Sequence, residues 1–185
     1  MVFDGSVYRN DDERFMAEAI AEADAAAADG EVPVGAVIVR DGEIVSRAHN
    51  MVETSRSSSA HAEMLAVEAA ERRLGTKWLT GCTVYVTLEP CSMCAGALVL
   101  ARVSRLVIGT MDPKAGACGS LRNIAADDRL NHRIEITAGV LEERCSTQLK
   151  KFFRAKRRKT IAEDRTDNQS AADRSAVIQN NGGNS

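Results

Sequence analysis

Apolar positions recur at helical spacing near the start of the chain. Phe15, Ala19, Ile20 and Ala23, in an alanine-rich stretch, predict a helix over 11–29 that Gly30 ends. The period then shortens. "PVGAVIV" (33–39) and "EIVSRA" (43–48) flank Asp41-Gly42, a tight-turn dipeptide, and predict a β-hairpin. A second helix is expected from about Ala60 to Leu74, ended by Gly75. "CTVYVTL" (82–88) is β-branched and follows Gly81, so it predicts a buried strand. Pro90 opens a short helix through about Leu100, and "RLVIGT" (105–110) is another strand. "DPKAGACGS" (112–120) is a glycine-punctuated loop, and a strand near 133–138 precedes a last helix from about 140 to 160. Helix, hairpin and then alternating strands and helices imply a three-layer α/β/α domain. Its mixed five-stranded sheet is flanked by helices.

Composition adds the boundaries. With 185 residues the chain suits one domain of ordinary size. The 44% hydrophobic share is normal and the 4% aromatic share thin, so the core should consist mostly of Ala, Val, Leu and Ile. The domain is expected over 1–160. Residues 161–185 are polar, free of aromatics and end in glycine and asparagine, which suggests a disordered tail. The net charge of −2 names no partner, but its distribution is uneven. Asp4, Asp11, Asp12 and Glu13 crowd the start, whereas "KKFFRAKRRK" (150–159) places seven basic residues around Phe152 and Phe153. No basic segment leads into an apolar run at the N-terminus. No uncharged apolar stretch approaches the roughly 18 residues that span a bilayer. With an odd five cysteines, these features suggest a reduced, cytoplasmic protein, without membrane contact, in which some cysteines bind metal.

The candidate chemistry lies in two short motifs. Cys91 and Cys94 follow Pro90 and share one helical face, so both sulfurs can meet near a helix N-terminus that favours the thiolate. An isolated pair of this kind is as often two buried structural thiols. His61 and Glu63 are about 200° apart around a helix and cannot both ligate one ion from a regular face. At a helix start, one can bind metal while the other approaches its water. Each motif alone is ordinary. Together, one histidine and two cysteines supply three protein ligands with no obvious fourth. Three ligands leave a position for water, as in a catalytic zinc site. One Zn2+ per chain on His61, Cys91 and Cys94 is therefore expected, with Glu63 as the proton shuttle that two charge-neutralising thiolates make more necessary.

The order H-x-E…P-C-x-x-C resembles the zinc nucleobase deaminases. The likeness extends through "EVPVGAVIV" (31–39), "HN" (49–50), "AHAEM" (60–64), "VTLEPCSMCAGA" (86–97), "DPKAGACGSL" (112–121), "NHRIEITAGVLEERC" (131–145) and "FFR" (152–154). In order and spacing these resemble the tRNA-specific adenosine deaminase family over residues 12–158. The resemblance implies a cytidine-deaminase-like fold, a homodimer, and conversion of adenosine to inosine at the wobble position of tRNA. It implies that Asn50 hydrogen-bonds a flipped base whose pocket Val34 and Leu88 shape. It further implies that Asp112, Lys114, Phe153 and Arg154 contact the anticodon stem-loop. Cys82, Cys118 and Cys145 are left as buried thiols.

Other readings of the same residues stay open at this point. Asn50 could cap a strand end, Val34 and Leu88 could be plain core, and the basic helix could be a solvated face. A deaminase of free bases or nucleosides would share the zinc site, and a catalytically silent zinc protein would need no Glu63. One stretch departs from the family pattern: "TSRSSSAHAE" (54–63) lacks the threonine, and the proline before it, that usually precede Ala-His-Glu. That puts the rigidity of this wall of the site in question.

Overall fold

The structure, a computed structural model, describes residues 8–158. The expected tail, 161–185, lies outside the described residues. Contacts divide the chain into two units after Leu149.

In the first unit, helix α1 (Asp11–Ala28) begins where Asn10 accepts a hydrogen bond from the Glu13 amide at 2.9 Å. Asp11, Asp12 and Glu13 occupy its first turn, where the helix dipole favours negative charge. Strands β1 (Gly35–Arg40) and β2 (Glu43–His49) form the expected hairpin. Asp41 and Gly42 both take positive φ, 52° and 78°, as a two-residue turn of the strands' own twist requires. A four-residue helix, α2 (Val52–Ser55), precedes α3 (Ala62–Leu74). Then come β3 (Cys82–Leu88), α4 (Ser92–Leu100), β4 (Arg105–Thr110) and β5 (Glu135–Ala138). Helical residues 142–149 close this unit. Helix α2 has no counterpart in the sequence reading, because four residues are too few to show a period.

The sheet order is β2-β1-β3-β4-β5, antiparallel on the β1 side and parallel from β3 to β5. Side chains alternate across each central strand. Val37, Val39, Tyr85 and Val107 pack with Phe15, Met16, Ala19 and Ile20 of α1 on one face. Ile38, Val84, Val86, Leu106 and Ile108 pack with Ala66 and Ala70 of α3 and Leu98 of α4 on the other. Burial on both faces explains why these strands read as unbroken apolar runs. The expected small-residue core and three-layer architecture are both present.

Strand direction decides where the site lies. The C-terminal ends of β3 and β4 share one edge, where open α/β sheets bind ligands. Because β1 runs antiparallel to β3, its first residue is at that same edge: the Gly35 amide donates to Thr87 Oγ1 at 3.1 Å. The end of β2 returns there too, with His49 opposite Gly35. Residues 34, 50, 88 and 112 thus converge from four segments far apart in sequence. Among the described residues, no helix is long and apolar enough to cross a membrane. The second unit, described over 150–158, is helical.

Candidate metal centre and base cavity

The metal-binding residues sit at two helix starts. His61 is the N-cap of α3 and Cys91 the N-cap of α4. Both have the extended backbone of a cap (φ −74° and −71°), yet neither side chain caps its helix. Their ligating atoms turn instead to a common point, which Cys94, one turn into α4, also reaches. His61 Nδ1 lies 3.8 Å from Cys91 Sγ and 3.6 Å from Cys94 Sγ, and the two sulfurs are 3.7 Å apart. Zn–S and Zn–N bonds of about 2.3 and 2.0–2.1 Å give tetrahedral edges of roughly 3.6–3.8 Å. The triangle matches three edges of such a tetrahedron, so these separations suit ligands of one ion. Among the described residues, this is the one cluster of three or more such groups able to hold a metal ion.

The thiols' acidities say the same. Cys94, as a hydrogen-bonding neighbour, draws Cys91 down to about 5, helped against burial by the Cys94 and Met93 amides and by His61. The resulting Cys91 thiolate, with burial and Glu63, drives Cys94 far up. Two sulfurs this close share one proton between them. A divalent cation at the centre would take that proton's place and hold both as thiolates.

Glu63 follows two residues after the ligating histidine, in the first turn of α3, and is only 4% exposed. Burial pushes its carboxyl up from the usual range, against its own backbone amide and His61. It lines a cavity of about 290 Å³ that also takes in His61 and Cys91. Val34, Leu88, Asn50 and Asp112 line the same cavity, so four of the expected substrate residues meet the metal site in one space. Lys114 does not line it. Its amide donates to Asp112 Oδ1 at 2.9 Å, and its side chain is exposed. Phe153 and Arg154 belong to the second unit, where both are exposed. Phe152 is half-buried and meets the Phe153 ring edge to face at 5.5 Å.

Two buried carboxylates of the cavity wall went unnoticed in the sequence. Glu89, 3% exposed, accepts from the amides of Asp112 (2.8 Å), Cys118 (2.9 Å) and Ser120 (2.9 Å), and from the Ser120 hydroxyl. It thereby folds the 112–120 loop over the cavity. Burial pushes its carboxyl up, but these four donors outweigh burial and hold it below the usual range. Glu31, fully buried, accepts from Asn50 Nδ2 at 3.0 Å and from the Thr54 amide at 2.7 Å. No spacing rule marks either residue. The only signal was a lone acid beside an apolar strand. Cys82, Cys118 and Cys145 are buried free thiols, as expected, and burial raises all three, the latter two to about 12.

Fold and site define a zinc-binding nucleobase deaminase. The family described as "Cytidine and deoxycytidylate deaminase zinc-binding region" matches residues 9–110. The tRNA-specific adenosine deaminase of Bacillus subtilis (strain 168) is 55% identical over 151 residues, covering 82% of this chain and 94% of its own. The chain belongs to the tRNA-specific adenosine deaminase family. A solved structure concerned with A-to-I editing by tRNA deaminases at the wobble position superposes with a TM-score of 0.71 at 38% identity, over 74% of this chain and 99% of that one. The guanine deaminase of Nitrosomonas europaea is more distant, with a TM-score of 0.66 at 27% identity over 76% of this chain and 83% of its own.

Proposed function

We propose that the protein hydrolyses adenosine to inosine at the wobble position of tRNA, releasing ammonia. The observation that carries the chemistry is the His61–Cys91–Cys94 triangle opening into a cavity that Glu63 also lines. The substrate reading is supported by the 55% identity to a tRNA-specific adenosine deaminase. His61, Cys91 and Cys94 would hold zinc, which when bound supplies a Lewis acid that brings water's pKa near neutrality.

The chain's own residues do the rest. Glu63 accepts the proton of the water that adds to adenine C6 and delivers it to N1. It then protonates N6 as the amine departs. Its burial suits it to both directions of transfer, because a raised carboxyl pKa lies nearer the working pH. Val34 and Leu88 give the base apolar walls, and Asn50 gives it a polar contact. An anticodon-loop base reaches such a cavity at low cost, since it is not held in a duplex. Asp112, on the cavity wall, and the exposed Lys114 next to it would meet the loop's flanking nucleotides. Phe153 and Arg154 offer an exposed aromatic beside a cation, a pairing that stacks unpaired bases.

Two copies acting together in the cytoplasm belong to the same reading. Met93 and Leu100 of α4, 38% and 81% exposed, supply apolar surface for a partner subunit. Sedimentation of the zinc-loaded protein as a monomer would remove the dimer from the proposal. The decisive experiment incubates tRNA with purified protein and sequences it, since inosine reads as guanosine. A to G conversion at the wobble position alone supports the proposal. Unchanged tRNA together with ammonia release from free guanine or adenosine would replace it with a free-base or nucleoside deaminase.

A further inference from the structure

The charged side chains around the cavity have one sign. Five carboxylates line it, Glu31, Glu53, Glu63, Glu89 and Asp112, and no lysine or arginine does. Four of the five are engaged. Glu31 and Glu89 are buried and each gathers several donors, and Glu63 is buried in the first turn of α3. Asp112 Oδ1 accepts from the Lys114 amide. Glu53 differs from all of them. Its amide donates to Glu31, which fixes its backbone in the first turn of α2, but its side chain is exposed. Among the described residues, no lysine, arginine or histidine pairs with its carboxylate. An ion held by His61, Cys91 and Cys94 would not offset this charge, because two thiolates and a neutral imidazole bring a divalent cation to zero net charge.

We propose that Glu53 is a specificity-determining residue: its unpaired carboxylate bars small anions, the phosphate of a free nucleotide included, from the metal site. The inference rests on the reading of the cavity as the pocket for a tRNA base. A free adenine nucleotide offers the same base, so shape alone does not reject it. Charge does. Over about 8 Å, the width of a cavity of about 290 Å³, like charges change an equilibrium constant roughly 2- to 30-fold as the effective dielectric constant falls from about 80 to 20. The phosphates of an anticodon loop meet the same repulsion. The loop, however, continues into RNA that can bind cations outside the cavity, among them the exposed Lys114. A mononucleotide has no further chain with which to make such contacts. Glu53 thus ties entry of the base to the RNA around it.

The probes are iodoacetamide and iodoacetate, alkylating reagents of nearly equal size, one neutral and one an anion. Cys91 lines the cavity and is half-buried, so after chelation of the metal it reports which of the two enters. Both reagents form the same S–C bond with loss of iodide. The ratio of their rates therefore cancels any change in thiolate fraction or steric access. We expect Glu53→Gln to lower the amide-to-acetate rate ratio at Cys91 roughly 2- to 10-fold at low salt, with most of the difference gone at about 1 M. Glu53→Asp, which keeps the charge, should stay near wild type. A ratio that Glu53→Gln leaves unchanged overturns the proposal. Failure of both reagents to reach Cys91 does so too, since the cavity is then no entrance. A second arm uses the zinc-loaded protein and an anticodon stem-loop. Exclusion of anions predicts that KM in Glu53→Gln is equal to wild type or lower. A raised KM would make Glu53 an RNA contact and overturn the proposal. If the wild type makes no inosine in tRNA while the alkylation ratio moves as expected, the substrate reading fails and the exclusion of anions does not.

Discussion

Removing the charge of Glu89 should loosen the wall of the cavity without touching a metal ligand. One carboxylate oxygen takes the Cys118 and Ser120 amides, and the other takes the Asp112 amide and the Ser120 hydroxyl. Glu89→Gln has nearly the same shape but can keep only one acceptor. If that oxygen stays with the buried Cys118 amide, the new NH2 points at the Asp112 amide, donor against donor. The Ser120 hydroxyl can rotate and accept, so its bond is partly recovered. The net loss is one charge-assisted bond, the weakening of two others, and one stranded donor. Since a hydrogen bond to a charged group contributes about 1.5–3 kcal/mol, the total comes to about 2–4 kcal/mol. In a domain of this size that corresponds to a fall in Tm of roughly 5–15 °C.

Urea and thermal unfolding of the zinc-loaded protein measure this. KM for a stem-loop should rise with little change in kcat, because Asp112 and Lys114 lose their fixed positions while Glu63 and the ligands keep theirs. A Tm within about 2 °C of wild type and an unchanged KM would refute the reasoning. The pH dependence has a definite sign. The folded carboxyl lies below its ordinary value of 4.5, so its contribution is fully present above that value and is lost as pH falls through the folded one. Stability of the wild type should therefore drop on acidification below about pH 4.5, and Glu89→Gln should show a shallower drop.

Glu63→Ala should retain one zinc per chain and a near-normal Tm, yet lose turnover by about 10²–10⁴-fold as the proton relay disappears; near wild-type activity would remove Glu63 from the mechanism. Stripping the metal with a chelator should lower Tm and make the partly exposed Cys91 titratable by a thiol reagent under native conditions, while the buried Cys82, Cys94, Cys118 and Cys145 stay unreactive. Reaction of all five at one rate would mean that metal loss unfolds the domain. Changing Lys156, Arg157 and Arg158 to serine should weaken stem-loop binding and reduce the log–log salt slope by roughly 0.7–0.9 per lost phosphate contact, and an unchanged slope would show the basic helix to be a solvated face.

How much of this was legible in the sequence depended on periodicity and on residue type. The strands 82–88 and 105–110 were bounded by turn chemistry and filled with β-branched residues, and they appear with those limits. The hairpin was readable because Asp41-Gly42 can adopt two consecutive positive φ values that few other pairs tolerate. The metal triad was readable because histidine and paired cysteines are scarce and their chemistry is narrow. Helix α2 was not readable, being shorter than any period and capped by Glu31, which accepts from the Thr54 amide 23 positions further on.

Glu31 and Glu89 show why a wall is harder to read than a site. An acid is usually a solvated surface residue, and nothing local distinguishes one that is buried. Their roles come from donors supplied by distant segments: Thr54 and Asn50 for Glu31, and Asp112, Cys118 and Ser120 for Glu89. Each carboxylate stands at one end of a strand or helix and gathers amides that no secondary structure satisfies. A buried charge of this kind persists only if its donors stay in place, since removing one partner strands the rest. The loops around the cavity are therefore held by the penalty for moving them. That lets irregular chain present Asn50 and Asp112 to a base with the constancy of a strand. The metal ligands face the same demand and meet it with helix starts, because His61 and Cys91 leave capping positions free to point at the ion.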